Sequence, residues 1–385
     1  MFDIDSKKIE FINNEFSEKM LETILPKTIK NQVIAIEIIN LIYTYIPKPL
    51  TNKIIHNITK TYLKLNEELC FIKNYEDDLN KNRIDDLSDF RENIYNRTKN
   101  HLIYYRNEQQ KIIDKYGKIN NWNVTNVTNM NNLFVEFTNF NEDISKWDVS
   151  NVENMEFMFA EVWNFNQPLN SWNVSNVCNM KRMFGSAWNF NQPLNNWNVS
   201  KVKNMEGMFN NTFKFNQPLN NWNVSNVTDM SCMFITKKFN QPLNDWNVSK
   251  VTNMTSMFNC AISFNQPLNN WDVSNVTTMQ WMFYCAQLFN QPLNNWNVSN
   301  VTNMNKMFEY AESFNQPMNN WNVSKVTNMS HMFNGAKDFN QPLNNWNVSN
   351  VTEMHRTFYM TINFNIQENA PWYDESNDGS DEEDY

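Results

Sequence analysis

The chain holds almost no glycine, five residues in 385. A phosphate-cradling loop needs several glycines together, so the nucleotide-binding motifs are excluded. Cysteine is also scarce: Cys70, Cys178, Cys232, Cys260 and Cys285 form no C-x-x-C pair. An odd, scattered set makes a poor disulfide framework and points to a reducing, intracellular setting, the host cytoplasm if the source is a virus. The histidines, His56, His101, His331 and His355, stand singly without a carboxylate or cysteine at ligand spacing, and they read as surface residues. The convergent polar groups of an enzyme are therefore missing, and neither a cofactor nor a metal is expected. Long apolar runs are absent too. The most apolar window, "VIAIEIINLIYTYI", is short and broken by Glu37 and Asn40, and the opening "MFDIDSKKIEFINNEF" has neither the basic start nor the apolar core of a secretory signal. No membrane span or export is expected.

Positive charge is lacking as well. The net charge of −9 is concentrated at one end, where Asp374, Glu375, Asp378, Asp381, Glu382, Glu383 and Asp384 have no base among them. The rest of the chain is close to neutral, so no basic field exists for phosphate and nucleic acid is not an expected partner. Residues 367–385 read as an acidic disordered tail; the calcium-loop echo in "DESNDG" fails because its twelfth position is Tyr385.

What the chain has in abundance is repetition. Trp122, Trp147, Trp172, Trp197, Trp222, Trp246, Trp271, Trp296, Trp321 and Trp346 recur every 25 residues with one 24-residue step, caused by a residue missing between Phe234 and Phe239. The apolar slots are constant: in one copy they are Phe289, Leu293, Trp296, Val298, Val301, Met304, Met307 and Phe308. Trp296 and Val298 alternate at period two behind Pro292, which predicts a short strand on "NWNVS". Met304, Met307 and Phe308 fall at i, i+3, i+4, which predicts one or two helical turns. Such a unit cannot bury its own apolar face, so the expected fold is an α/β solenoid of ten stacked units with one parallel sheet. On that sheet Asn295, Asn297 and Ser299 would point outward in rows whose amides bond along the stack.

The string "MFxxAxxFNQPLNNWNVSNVTNM" resembles the BspA-like, leucine-rich-repeat-type module of mycoplasma surface lipoproteins, a repeat of unknown function, over residues 119–366. The resemblance implies a curved solenoid with a parallel sheet on one face. Unlike the bacterial surface members, this sequence shows no lipidation cysteine.

Residues 1–118 differ in character, being rich in Lys, Ile, Asn and Glu with helical patterning. Residues 88–117, ending at Gly117, are expected to cap the first repeat. Within residues 34–65, the stretch from Glu37 to Leu65 resembles an F-box through its E-I-x-x-x-I-x-x-Y-I-P run, with Tyr62 and Leu65 near the residues that close that motif. The resemblance implies docking to a Skp1-type adaptor through Ile38, Ile42, Ile46 and Pro47. The asparagine, lysine and isoleucine bias is that of an AT-rich genome, as in a large DNA virus, a protist or a mycoplasma.

Two functions fit these readings: a protein-interaction scaffold, including the substrate arm of an F-box ubiquitin-ligase adaptor, or a structural or virion-surface protein whose solenoid is a rigid spacer. The outward asparagines are nearly uniform, and variation follows each Met-Phe. Four residues past that Phe stand Trp163, Trp188 and Phe213 in consecutive units, where later units have Gln287, Glu312 and Lys337. Stacking would align the three rings into a stripe, the expected partner-binding edge.

Overall fold

The computed structural model describes residues 50–81, 103–104 and 106–378. Ile38, Ile42, Ile46 and Pro47, and residues 88–102 and 105 of the expected cap at 88–117, lie outside them. Among the described residues the helices are few: α1 (Asn52–Lys81), a second helical segment at residues 106–116 and a short helix at Ile366–Asn369, with 3-10 turns at Ile119–Asn121 and Glu375–Asp378. No β-strand forms among them, which overturns the expected α/β solenoid with its parallel sheet. The ten repeats are stacked, but each is made of turns, and neighbours share only one isolated parallel bridge, in a chain running from Asn129↔Asn154 to Asn328↔Glu353.

The expected strand fails because the Trp-x-Val pair lies between two turns. Trp172 N donates to Leu169 O at 3.0 Å, and Val177 N to Val174 O at 2.9 Å. Two turns separated by one residue bury alternate side chains just as a strand does, and Trp172 and Val174 are both buried. Asn173 fixes the second turn by accepting from Ser175 N at 3.2 Å. Its carbonyl oxygen is thus used within its own unit, as a side chain that mimics a backbone turn. Bonds along the stack are made at other columns, as where Asn166 N donates to Asn141 Oδ1 and Asn191 N to Asn166 Oδ1, both at 2.9 Å, and where the backbone N of Asn295 donates to Asn269 Oδ1 at 3.3 Å.

The Met-x-x-Met-Phe segment is not helical either. In unit two, Met158 N closes onto Met155 O and Val162 N onto Phe159 O, both at 3.2 Å. The third residues of these turns, Phe157 and Glu161, have φ of 55° and 62°, which is type II geometry. Between the turns, alternate peptide groups align with the stack axis. Met155, Phe157, Phe159 and Glu161 donate to Asn179, Lys181, Met183 and Gly185 of unit three at 3.0, 2.8, 2.9 and 2.8 Å. The same two left-handed slots recur from Asn132 and Glu136 to Arg356 and Met360, except that the shortened unit five keeps only Cys232. Each costs a non-glycine residue about 1 kcal/mol, offset by the inter-unit bonds that depend on it.

Trp, Val, Met and Phe columns form one continuous core. Six of the nine successive tryptophan pairs are stacked with centroids 6.3–6.5 Å apart, and from Trp147 to Trp346 each indole N–H crosses to the preceding unit, as Trp197 Nε1 does to Leu169 O at 2.9 Å. Both ends carry further packing. At unit one, Leu50 N donates to Asn123 O at 2.8 Å, Asn52 Oδ1 accepts from Thr128 N at 2.9 Å, and Tyr62 packs edge-on against Trp122 at 5.8 Å. At unit ten, residues read from sequence as the start of the tail extend the column: Trp372 stacks on Trp346 at 6.2 Å and its Nε1 donates to Leu343 O at 3.0 Å.

Candidate interaction surface

Trp163 directly follows Val162, whose side chain is fully buried at the close of a turn, and Trp188 follows Ala187 in the same way. The chain must therefore turn the next side chain away from the core. Trp163, Trp188 and Phe213 are 39%, 40% and 37% exposed, beside core phenylalanines that are fully covered. The stack brings them together: Trp163 and Trp188 are 4.4 Å apart with planes 1° from parallel, and Phe213 lies 6.1 Å from Trp188, tilted by 32°. The ledge ends at unit five, where the missing residue puts Lys237 5.9 Å above the Phe213 ring. The surface is thus three rings long with a cation at one end.

A polar cluster on the turn ribbon of units eight to ten was not visible in the sequence, where its histidines stood apart. Glu309 is buried, accepts from Asn334 Nδ2 at 2.7 Å, and lies 3.4 Å from Lys306 Nζ and 3.6 Å from His331 Nδ1. Burial pushes its carboxyl above the ordinary range, against the pull of Lys306. His355 meets His331 edge-on at 5.0 Å and shares a 3.1 Å hydrogen bond with Ser330. These two histidines therefore belong to an inter-unit network and are not isolated surface residues. His56 likewise has a structural partner, Asn131 O at 2.9 Å. The only advance signal was the common slot that His331 and His355 do not share but approach, one residue apart in adjacent units.

Cys260 and Cys285 occupy the same left-handed slot in units six and seven, with φ of 54° and 53°. A hydrogen bond from the Cys285 thiol holds the Cys260 sulfur down at about 7, with help from Lys237, while Cys285 is pushed up by the same bond and by burial. No group of three or more His, Cys, Asp or Glu among the described residues is arranged to hold a metal. No described helix is long and apolar enough to cross a membrane.

The family model described as "Mycoplasma protein of unknown function, DUF285" matches residues 105–221, 205–321 and 293–377, three overlapping passes that cover the whole stack. No curated protein and no solved structure matches the chain.

Proposed function

The chain belongs to the DUF285 family, whose function is unknown, and from that premise we propose that it is a non-enzymatic repeat scaffold holding a protein partner against Trp163, Trp188 and Phe213. The observation that carries this is the exposure of three aligned rings on a chain that buries its repeat-borne phenylalanines and column tryptophans. Large, rigid aromatic surfaces concentrate binding energy, because covering them releases water at little entropic cost. The uniform asparagines offer less to a partner, since Asn173, Asn198, Asn223 and their equivalents are engaged in turns of their own units. Lys237 beside the third ring favours a partner with an acidic group near its apolar contact.

The triple change Trp163→Ser, Trp188→Ser and Phe213→Ser tests the proposal. It should abolish capture of a specific partner from the native cell while moving the melting temperature by less than about 3 °C, as surface substitutions do. A large fall in melting temperature would place the rings in the core. Unchanged capture would remove the ledge from the interface, and a scaffold with no specific partner would be the rigid spacer of the alternative reading. The adaptor role draws its support from the sequence resemblance alone. Tyr62, which closes that F-box-like stretch, is already packed on Trp122, so a Skp1-type adaptor would have to bind Ile38, Ile42, Ile46 and Pro47 with α1 seated on unit one. Loss of such an adaptor on Ile42→Asp would support it.

A further inference from the structure

The second left-handed slot of the turn ribbon holds Cys260 in unit six and Cys285 in unit seven, with φ of 54° and 53°. Equal backbone angles at equal positions send the two side chains out in parallel. The backbone fixes their register: Cys260 N donates to Tyr284 O and Cys285 N to Glu309 O, both at 2.8 Å. Residues so placed in neighbouring units are about 5 Å apart along the stack, inside the range of roughly 4.4–6.8 Å between Cα atoms that a disulfide spans. The two thiols already meet, Cys285 donating to the Cys260 sulfur, and both are free and only partly buried. Cys178 and Cys232 stand in other columns. The Cys178 Sγ donates to Glu153 O at 3.2 Å, and Cys232 occupies the first left-handed slot, where burial pushes its thiol up.

The surroundings make the paired thiols unequal. The titratable groups that act on them are Lys237, Tyr284 and Glu309. Unit five, one residue short, has no second slot of its own, and its Lys237 places positive charge near Cys260. Cys285 instead has the Tyr284 hydroxyl bonded to it and the Glu309 carboxylate nearby. The hydrogen bond from Cys285, helped by Lys237, holds Cys260 at about 7, while that same bond, burial and Glu309 push Cys285 up. Near neutral pH Cys260 is therefore the nucleophilic sulfur, and Cys285 keeps its proton beside it.

We propose that Cys260 and Cys285 form a reversible peroxide-reactive site, in which Cys260 is oxidised first and Cys285 converts it to a disulfide joining units six and seven. The Cys260 thiolate attacks one oxygen of hydrogen peroxide, the O–O bond breaks, and hydroxide leaves with the proton that the thiol gave up, as water. The Cys285 sulfur then attacks the sulfenic sulfur of Cys260, and its own proton leaves with the hydroxyl as a second water. Two thiols and one peroxide thus give one disulfide and two waters, two electrons passing from sulfur to oxygen. Small thiols reverse the step by exchange, as suits a bond made and broken inside a reducing compartment.

Hydrogen peroxide added to the full chain, followed by intact mass and by peptide mapping without reductant, tests the proposal. The chain should lose two hydrogens, the peptides carrying Cys260 and Cys285 should be found linked, and dithiothreitol should undo both changes. The rate should rise with pH and level off above about 7, where Cys260 is already ionised. In C285S, dimedone should trap a sulfenic acid on Cys260, whereas Cys285 in C260S should be labelled at least about 10-fold more slowly. Serine already holds this slot in unit three, as Ser186, so both variants should melt within about 3 °C of the unchanged chain. Absence of the link, a link through Cys178 or Cys232, a link found only between two molecules, or equal labelling of the two variants would overturn the proposal.

Discussion

Gly335 holds a left-handed slot, φ 68°, directly under a ring of the preceding unit: an added Cβ would sit 2.5 Å from Tyr310 Cδ1. Alanine there meets two penalties, the left-handed backbone and the overlap. Gly335→Ala should cost about 2–4 kcal/mol in urea unfolding, and adding Tyr310→Ala should remove the overlap share and leave about 1 kcal/mol relative to Tyr310→Ala alone. Equal costs in the two backgrounds would show that the ring does not lie over residue 335. The glycine was not informative in the sequence, because only Gly207, Asn132 and Asn211 among the other left-handed slots hint at such a backbone, while the rest hold Phe157, Glu161, Arg182, Trp281 and other side chains that do not. Turn chemistry is usually announced by Gly or Asn. Here the inter-unit bonds impose the conformation and leave side-chain choice almost free, which is also why this ribbon is where the units differ.

At the scale of the element, hydrophobic spacing records which side chains face the core and nothing about the peptides between them. Met304, Met307 and Phe308 are buried, as their i, i+3, i+4 spacing requires, yet the same spacing serves a helical turn and a pair of type II turns. Trp-x-Val is similarly shared by a strand and by two successive turns. The repeat number, the period and the core list were therefore legible, whereas the secondary structure was misread. The tryptophan's role was half legible: its burial followed from the pattern, but its indole bond to the unit before could not. Trp197→Ala should cost about 3–5 kcal/mol through the lost ring and the space left behind. Trp197→Phe keeps part of the ring and strands the Leu169 carbonyl, so its cost should be smaller, about 1–3 kcal/mol. Denaturant midpoints for the two variants check the order; equal losses would mean the indole bond contributes nothing.

For the whole molecule, a fixed period lets residues far apart in sequence be placed in one line, which made the Trp163, Trp188 and Phe213 ledge legible before any coordinates. Its exposure depended on a local detail, the closing turn that buries Val162 and turns the next side chain outward. The direction of the bonds between units was not legible at all, since it follows from the orientation of peptide groups. The ledge rests on one claim: units stacked in register, with the column indoles bonded inside and the ledge indoles outside. The chain has fourteen tryptophans, each with one indole N–H that can be followed by NMR. Hydrogen exchange of those fourteen signals tests the claim most directly. Those of Trp122 through Trp346 in the column should be strongly protected, those of Trp372 and of Trp281, bonded to Asn305 Oδ1 at an exposed site, less so, and those of Trp163 and Trp188 should exchange fastest. Rapid exchange in the column, or protection of Trp163 and Trp188 equal to it, would contradict the account.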